Sequence, residues 1–486
     1  VEKFEEYHMS FIDGEWTEGQ SDRTFVDQNP YDRSTITSFS LASVDQLHRA
    51  FKTAKQAQKE WGKTKPEERR TILEKAAAYL LEHRSEIVDI ISRETGGSQM
   101  KANVELDLTL EILEASCDLV DQVYKRREVT SSIHGKKNEV YRLPLGVITS
   151  ISPFNFPMNL SLRTIAPALA LGNAVVHKPD IQVGLTGGSI IARAFEYAEL
   201  PKSILQVIQS DVEVIGDEML TSPHSEFISF TGSTKVGKHI GELAGKMLKR
   251  FALELGGNSP FIVLSDADVD RAVDAAIFGK FIHQGQICMI INRLIIHKDN
   301  YDEFVEKYVE RVKQITYGDP KDPKTVIGPL INERQIEKAL TLIEDAKQDG
   351  VKLALEGKQI GNVLTPYIFI DVDNKSKLAQ TELFAPISTI IKANSDEHAI
   401  ELANDTEYGL SSAIFTTDLD KGRELGLQVE SGMTHINDQT VNDSPLIPFG
   451  GNKASGTGRF GNEWIAEEFT VTKWISVQND YRTFPF

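Results

Sequence analysis

The chain has 486 residues, 40% hydrophobic and 26% charged, and its 71 acidic against 53 basic side chains give a formal net charge of -18. That length exceeds what one hydrophobic core usually supports, so two or more packed domains are expected, and the composition is that of a globular protein. The acidic balance opposes attraction to phosphate backbones and argues against a nucleic acid partner, and no window approaches the roughly eighteen apolar residues of a membrane span.

Residues 1–10 are charged and lack the apolar stretch of a secretory signal, which points to the cytoplasm. The first third reads as helices. Ser43 with Gln46, and Thr64 with Glu67 and Pro66 in the first turn, are capping-box patterns that open helices near 44–62 and 65–95. Gly96 and Gly97 end the second of these, and a third covers about 103–125. The polar alternation of 126–142 then reads as an exposed hairpin. From residue 146 short apolar runs at 147–151, 174–177, 204–208 and 227–230 alternate with helical patterns, the signature of a parallel sheet with crossover helices. A second α/β region runs from Leu253 to about 445 through 261–264, 293–297 and 389–392, and 470–477 reads as a last strand.

The two cysteines, Cys117 and Cys288, are too few for a disulfide framework and lack the paired spacing of a zinc site, so no metal is expected. Cys117, in an apolar helical pattern, reads as a buried inert thiol. Gly456-Thr457-Gly458-Arg459-Phe460-Gly461 matches the dinucleotide fingerprint letter for letter, but too little chain follows for the helix, strand and ribose-binding acid that make the fingerprint work. Gly232-Ser233-Thr234-Lys235-Val236-Gly237-Lys238 follows a strand and opens a helix as a P-loop does, and 261–266 resembles a magnesium-holding strand, so an NTPase is a competing reading. His239 stands where a P-loop places the Ser or Thr that holds magnesium, which weighs against it. What remains is a helix N-terminus near Ser233 suited to an anionic group such as a pyrophosphate. No G-x-S-x-G elbow or H-E-x-x-H occurs, which disfavours a serine hydrolase or zinc protease.

Four further segments are Ser152-Pro153-Phe154-Asn155-Phe156-Pro157, Leu253-Glu254-Leu255-Gly256-Gly257-Asn258, Gly285-Gln286-Ile287-Cys288 and Glu382-Leu383-Phe384-Ala385-Pro386. With Phe230-Thr231-Gly232-Ser233 and Pro448-Phe449-Gly450-Gly451, they resemble the aldehyde dehydrogenase superfamily in order and spacing over nearly the whole chain. The run Pro157-Met158-Asn159-Leu160-Ser161-Leu162-Arg163 and the triplet Lys178-Pro179-Asp180 are most similar to bacterial benzaldehyde or vanillin dehydrogenases. The resemblance implies an α/β fold with a Rossmann-like dinucleotide-binding domain (1–121 and 145–253) and an α/β catalytic domain (254–445). A small strand-built element (122–144 and 468–486) would join subunits of a homo-oligomer, either dimer or tetramer.

The resemblance also implies oxidation of an aldehyde to the free acid with NAD, and possible use of NADP. Cys288 would be the nucleophile, passing through a thiohemiacetal and a thioester, and Glu254 the base for thiolate and water. The Asn155 amide and the Cys288 N–H would hold the oxyanion. Taken alone, Asn155 before Pro157 reads as an N-cap. Lys178 would face the adenosine ribose, Ser233 the pyrophosphate, and Glu382 with Phe384 the nicotinamide end, with Ser152, Pro153 and Gly232 beside them. Alone, Lys178 and Glu382 read as surface charges. Two positions depart from the family pattern: Ile181, where many NAD-preferring members have glutamate, and Ala385, usually glycine. Asn159, Arg163, Ile287 and Met289 are the candidate substrate pocket. Asn155, Asn159 and Arg163 are spaced by four along a helix face, and an arginine there suits an aromatic ring or its hydroxyl or methoxy substituent. That favours aromatic aldehydes over the aliphatic or semialdehyde alternatives, although Arg163 pairing with a carboxylate between domains is the plainer reading. A third class, a non-catalytic relative of the fold, is opposed by the intact Cys288, Glu254 and Asn155.

Overall fold

The structure, a computed structural model, describes residues 2–486. It opens with two hairpins absent from the helical reading of this region: β1 (Ser10–Ile12) with β2 (Glu15–Thr17), and β3 (Thr24–Gln28) with β4 (Thr35–Ser40). These strands are too short for their alternation to stand out, and β1 is completed only by tertiary pairing of Phe11 with Val207. α1 (Val44–Trp61) carries the expected Ser43–Gln46 capping box. α2 (Pro66–Glu82) is not capped by Thr64, whose hydroxyl donates instead to the Trp61 carbonyl at 2.6 Å. The helix expected over 65–95 breaks at His83, and α3 (Arg84–Thr95) ends on Gly96 in the left-handed conformation. α4 (Gln99–Ser116) starts earlier than the expected 103, capped by Ser98, and gives way to a 3-10 turn over Cys117–Gln122.

β5 (Arg127–Val129) and β6 (Lys136–Pro144) form the expected hairpin and, with Thr470–Gln478, a separate three-stranded sheet. The apolar–helical alternation resolves as β7 (Val147–Ile151), α5 (Pro157–Ala170), β8 (Ala174–Lys178), α6 (Ile190–Tyr197) and β9 (Leu205–Val207). Single turns α7 (Val212–Ile215) and α8 (Glu218–Thr221), then β10 (Phe227–Thr231), α9 (Thr234–Met247) and β11 (Arg250–Glu254), complete it. The sheet order is β2-β1-β9-β8-β7-β10-β11 with Gly456–Thr457 on the far edge. Strands β9 to β11 are parallel, and the order runs outward from β7 in both directions. Such a switch point, beyond the carboxyl ends of β7 and β10, is where open α/β sheets hold ligands.

A second sheet of seven strands is built around β12 (Ser259–Val263), reached directly from β11, and β13 (Ile291–His297), with α10 (Val269–Phe281) between them. Ile387–Ala393 flanks β13 and Ser411–Phe415 flanks β12, all parallel. The central strands bury Phe261, Ile295, Ile390 and Ala413 completely, which accounts for the near-continuous apolar runs in their sequences. The two sheets also dispose of the NTPase reading. The P-loop-like segment belongs to the first sheet and its supposed magnesium strand, β12, to the second. Asp266 is occupied by the hydroxyls of Thr416 and Thr417. Among the described residues no helix is long and apolar enough to cross a membrane.

Candidate active site

Three strand ends of the first sheet meet one loop of the second. β7 leads into Ser152–Phe156, β10 ends at Thr231 and β11 ends at Glu254, while the opposing loop lies between α10 and β13 and carries Cys288. His283 and Gln284 in that loop have φ of 51° and 57°, a left-handed conformation that side chains with a Cβ resist, so the turn needs anchoring. Gln284 Nε2 donates to the carbonyls of Gly96 and Pro329 at 3.0 Å each, and Gln286 Oε1 accepts from Ile331 N–H at 3.0 Å. Gly257 permits the close approach of the strand connection: a Cβ there would lie 2.2 Å from the Cys288 carbonyl oxygen. Asn155 ties the two halves together, its Nδ2 donating to the Gln286 carbonyl at 3.0 Å. It does not cap α5; the cap position is Phe156, whose N–H donates to Asn155 Oδ1.

Half-buried Cys288 stands between two cavities that share Asn155 and Thr231. One, of about 660 Å³, has an apolar wall of Leu108, Phe156, Leu160, Phe278, Ile287, Met289, Val441 and Phe449, set with Asn159, Arg163, Glu254 and Asp443. The other, of about 640 Å³, is lined by Pro153, Phe154, Gly232, Ser233, Gln335, Lys338, Glu382 and Phe384. All four expected pocket residues therefore border the first cavity, and five of the expected cofactor residues border the second. Ser152 and Lys178 do not line it: Ser152 shares a hydrogen bond with Ser161, and Lys178 closes β8 with Nζ on the Pro179 carbonyl at 3.3 Å.

Burial governs the chemistry. Glu254 is 1% exposed and neither carboxyl oxygen has a partner. Desolvation pushes its pKa up to about 8, against the opposing pull of the Arg163 and Arg459 charges. Burial, then the Glu254 carboxylate, push the Cys288 thiol up to about 12, so the thiol is protonated at neutral pH and the two acids oppose each other's ionisation. Arg163 is the positive charge of this cavity. It forms an ion pair with Asp443 and lies 4.1 Å over the Phe449 ring, so Arg163 both pairs with a carboxylate and borders the cavity.

On the other side, Ser233 borders the polar cavity and caps α9, its side chain accepting from the Val236 N–H. Glu382 Oε1 accepts from Gly257 N–H at 3.0 Å, and its carboxyl is raised by burial. Ile181 is only 8% exposed and packs into the core, while Asp180 is engaged by the Gln182 N–H at 3.0 Å. Sequence reasoning missed Asp443, Lys338 and the α4 residues Val104 and Leu108 on the cavity wall. Asp443 lies in irregular chain 280 positions from its partner, and nothing local marks it.

Residues 16–475 match the model of the aldehyde dehydrogenase family. The chain is 65% identical to AldY of Bacillus subtilis over 483 residues, covering 99% of this chain and 100% of that protein. It is 46% identical to a vanillin dehydrogenase of Corynebacterium glutamicum over 469 residues, 96% and 97% of the two chains. The solved structure of an NAD-dependent benzaldehyde dehydrogenase from Corynebacterium glutamicum superimposes with a TM-score of 0.89 at 42% identity, covering 97% and 98% of the two chains. With two sheets of matching architecture, a thiol between two cavities and similarity over its full length, the chain belongs to the aldehyde dehydrogenase family.

Proposed function

We propose that this protein oxidises an aromatic aldehyde of the benzaldehyde or vanillin kind to its carboxylic acid, with NAD as oxidant and Cys288 as nucleophile. One observation carries the reading: Cys288 sits where an apolar cavity holding a buried carboxyl and an arginine meets a polar cavity at the switch point of a doubly wound sheet. In the reaction, Glu254 as carboxylate takes the Cys288 thiol proton and passes it to solvent, the sulfur adds as thiolate to the aldehyde carbon, and the carbonyl oxygen takes the negative charge opposite the Asn155 amide and the Cys288 N–H. NAD, when bound, supplies the oxidising equivalent by accepting hydride from that carbon. Glu254, as carboxylate, takes a proton from water, which adds to the thioester carbon and expels the Cys288 thiolate.

The polar cavity fits the dinucleotide by the chemistry of its donors. The first turn of α9 with Ser233 and Gly232 would take the pyrophosphate, Lys178 the adenosine ribose, and Glu382 with Phe384 the nicotinamide end, with Ser152 and Pro153 along the β7 end. The eight-stranded sheet would then be the cofactor unit and the seven-stranded sheet the catalytic unit. The exposed Thr470–Gln478 strand, which presents Trp474, Ile475 and Val477, is the proposed contact between subunits of an oligomer. The substrate class is supported by the vanillin and benzaldehyde dehydrogenases among its relatives and by the apolar wall around Arg163. Steady-state rates with benzaldehyde, vanillin and straight-chain aldehydes, each with NAD and NADP, test it. A higher kcat/KM for the straight chain would sink the aromatic assignment, and absence of turnover with every aldehyde would sink the whole reading.

A further inference from the structure

α5 carries Asn155 at its entrance and Asn159 and Arg163 on its cavity face, yet no local side chain accepts from its first-turn N–H groups. The acceptor comes from a different helix. Glu105, in the middle of α4, is fully buried, and its Oε1 accepts from Met158 N–H at 2.9 Å and Asn159 N–H at 3.4 Å. Its Oε2 accepts from Lys101 Nζ at 2.5 Å, and that ammonium, also fully buried, lies 4.4 Å over the Phe156 ring. Buried ion pairs are weak contributors to stability, because an apolar pair of similar volume often serves as well or better. Stability alone is therefore a poor account of this one. Its free oxygen instead meets the N–H groups of the turn that follows Asn155 and Phe156, where an acceptor also complements the positive end of the helix.

We propose that Glu105, held in place by Lys101, is a positioning residue that caps α5 from another helix and thereby fixes the Asn155 amide opposite Cys288. This rests on the reading of Asn155 as the oxyanion donor. α4 also contributes Val104 and Leu108 to the cavity wall, so the same helix sets both the wall and the donor.

The test compares two double variants with Asn155→Ala. Lys101→Met/Glu105→Leu removes both charges together and fills their space with apolar side chains, so no unpaired charge is left to unfold the protein. Lys101→Met/Glu105→Gln keeps the uncharged acceptor for the α5 turn. The first should slow the pre-steady-state burst of reduced cofactor by about 10- to 100-fold, as small misplacements of catalytic groups do, with KM for NAD changed less than about twofold. The second should recover most of the burst. On the Asn155→Ala background, removing the pair should cost little more, because both changes act through one amide. A wild-type burst in Lys101→Met/Glu105→Leu, a loss that Gln does not recover, or a loss that multiplies in full with Asn155→Ala overturns the proposal. An unchanged burst in Asn155→Ala alone overturns the oxyanion reading instead. Should the apolar variant fail to fold, Glu105→Asp keeps both charges while drawing the acceptor back by one methylene. The same slowing is expected there, and a wild-type burst refutes the cap.

Discussion

Replacing Glu254 by glutamine should make the protein slower and, at alkaline pH, more stable. In the folded protein its carboxyl titrates at about 8, whereas an unperturbed glutamate titrates near 4.5. Between these values the native state holds a proton that the unfolded chain has released, so stability falls as pH rises through this window and levels off above about 8. A difference of about 3.5 pKa units sets a ceiling on the order of 5 kcal/mol for this penalty. Glutamine has no such titration, although its buried amide needs partners that Glu254 also lacks, which adds an offset independent of pH. The quantity to measure is therefore the difference in unfolding midpoint between variant and wild type from pH 5.5 to 9. It should grow in favour of the variant up to about pH 8 and then flatten. Activity moves the other way. With a pKa of about 8, roughly one carboxyl in ten is ionised at pH 7, so wild-type thioester hydrolysis should rise about tenfold from pH 7 into the alkaline range. Single-turnover work on Glu254→Gln separates its two roles: a slowed burst of reduced cofactor marks thiolate formation, a full burst followed by slow hydrolysis marks water activation, and in either case the alkaline rise is lost. A stability difference flat with pH, together with hydrolysis already maximal at pH 6, would refute the buried-acid account.

Cys288→Ala should abolish both aldehyde oxidation and ester hydrolysis, since each needs the thiolate; residual aldehyde turnover would show another nucleophile. Because burial and Glu254 hold the Cys288 thiol up to about 12, alkylation of the apoenzyme by iodoacetamide should accelerate with pH through the alkaline range, and a plateau near pH 7 would contradict that environment. Arg163→Leu, made together with Asp443→Asn to avoid a stranded carboxylate, should lower kcat/KM for vanillin by about 1–3 kcal/mol of transition-state binding and affect a straight-chain aldehyde much less. Equal losses on both substrates would reduce the pair to a structural clamp. Ile181 packs into the core, so Ile181→Glu buries a carboxylate and should lower the unfolding midpoint while leaving the ratio of kcat/KM for NAD over NADP unchanged. A raised ratio at an unchanged midpoint would show that this position faces the 2′-phosphate.

The strands at the heart of both sheets were legible in the sequence because they are buried on both faces and read as unbroken apolar runs, and β7 matches its expected range of 147–151. The site residues were legible only through the joint spacing of several motifs, since Lys178 or Glu382 alone resembles any surface charge. What stayed hidden depended on distant partners. The first hairpin needs Val207 to complete it, and the break at His83 has no proline or glycine to announce it. Lys101 and Glu105, spaced as an ordinary surface pair on a helix, become a buried cap only because α5 packs over them.

The Gly456–Gly461 segment shows why a matching string of letters can have the right physics and the wrong partner. Glycines in a dinucleotide fingerprint let backbone approach a pyrophosphate; here they let backbone approach backbone. Gly456 has φ of 140°, and a Cβ there would lie 1.9 Å from the Leu253 carbonyl oxygen. Gly456–Thr457 consequently pairs antiparallel with Leu253 and Glu254, while Leu255 N–H donates to the Ser455 carbonyl at 2.9 Å. The chain then folds back so that Phe460 bridges Phe449, which brings both rings against the Arg163 guanidinium, at 4.1 Å and 5.8 Å. One segment thus braces the backbone of the buried carboxyl and stacks the positive side chain of the cavity, Arg163. The backbone hydrogen bonds hold Glu254 in place while leaving its side chain without a partner, and that combination, fixed position with an unsatisfied carboxyl, accounts for the raised pKa of the proposed base.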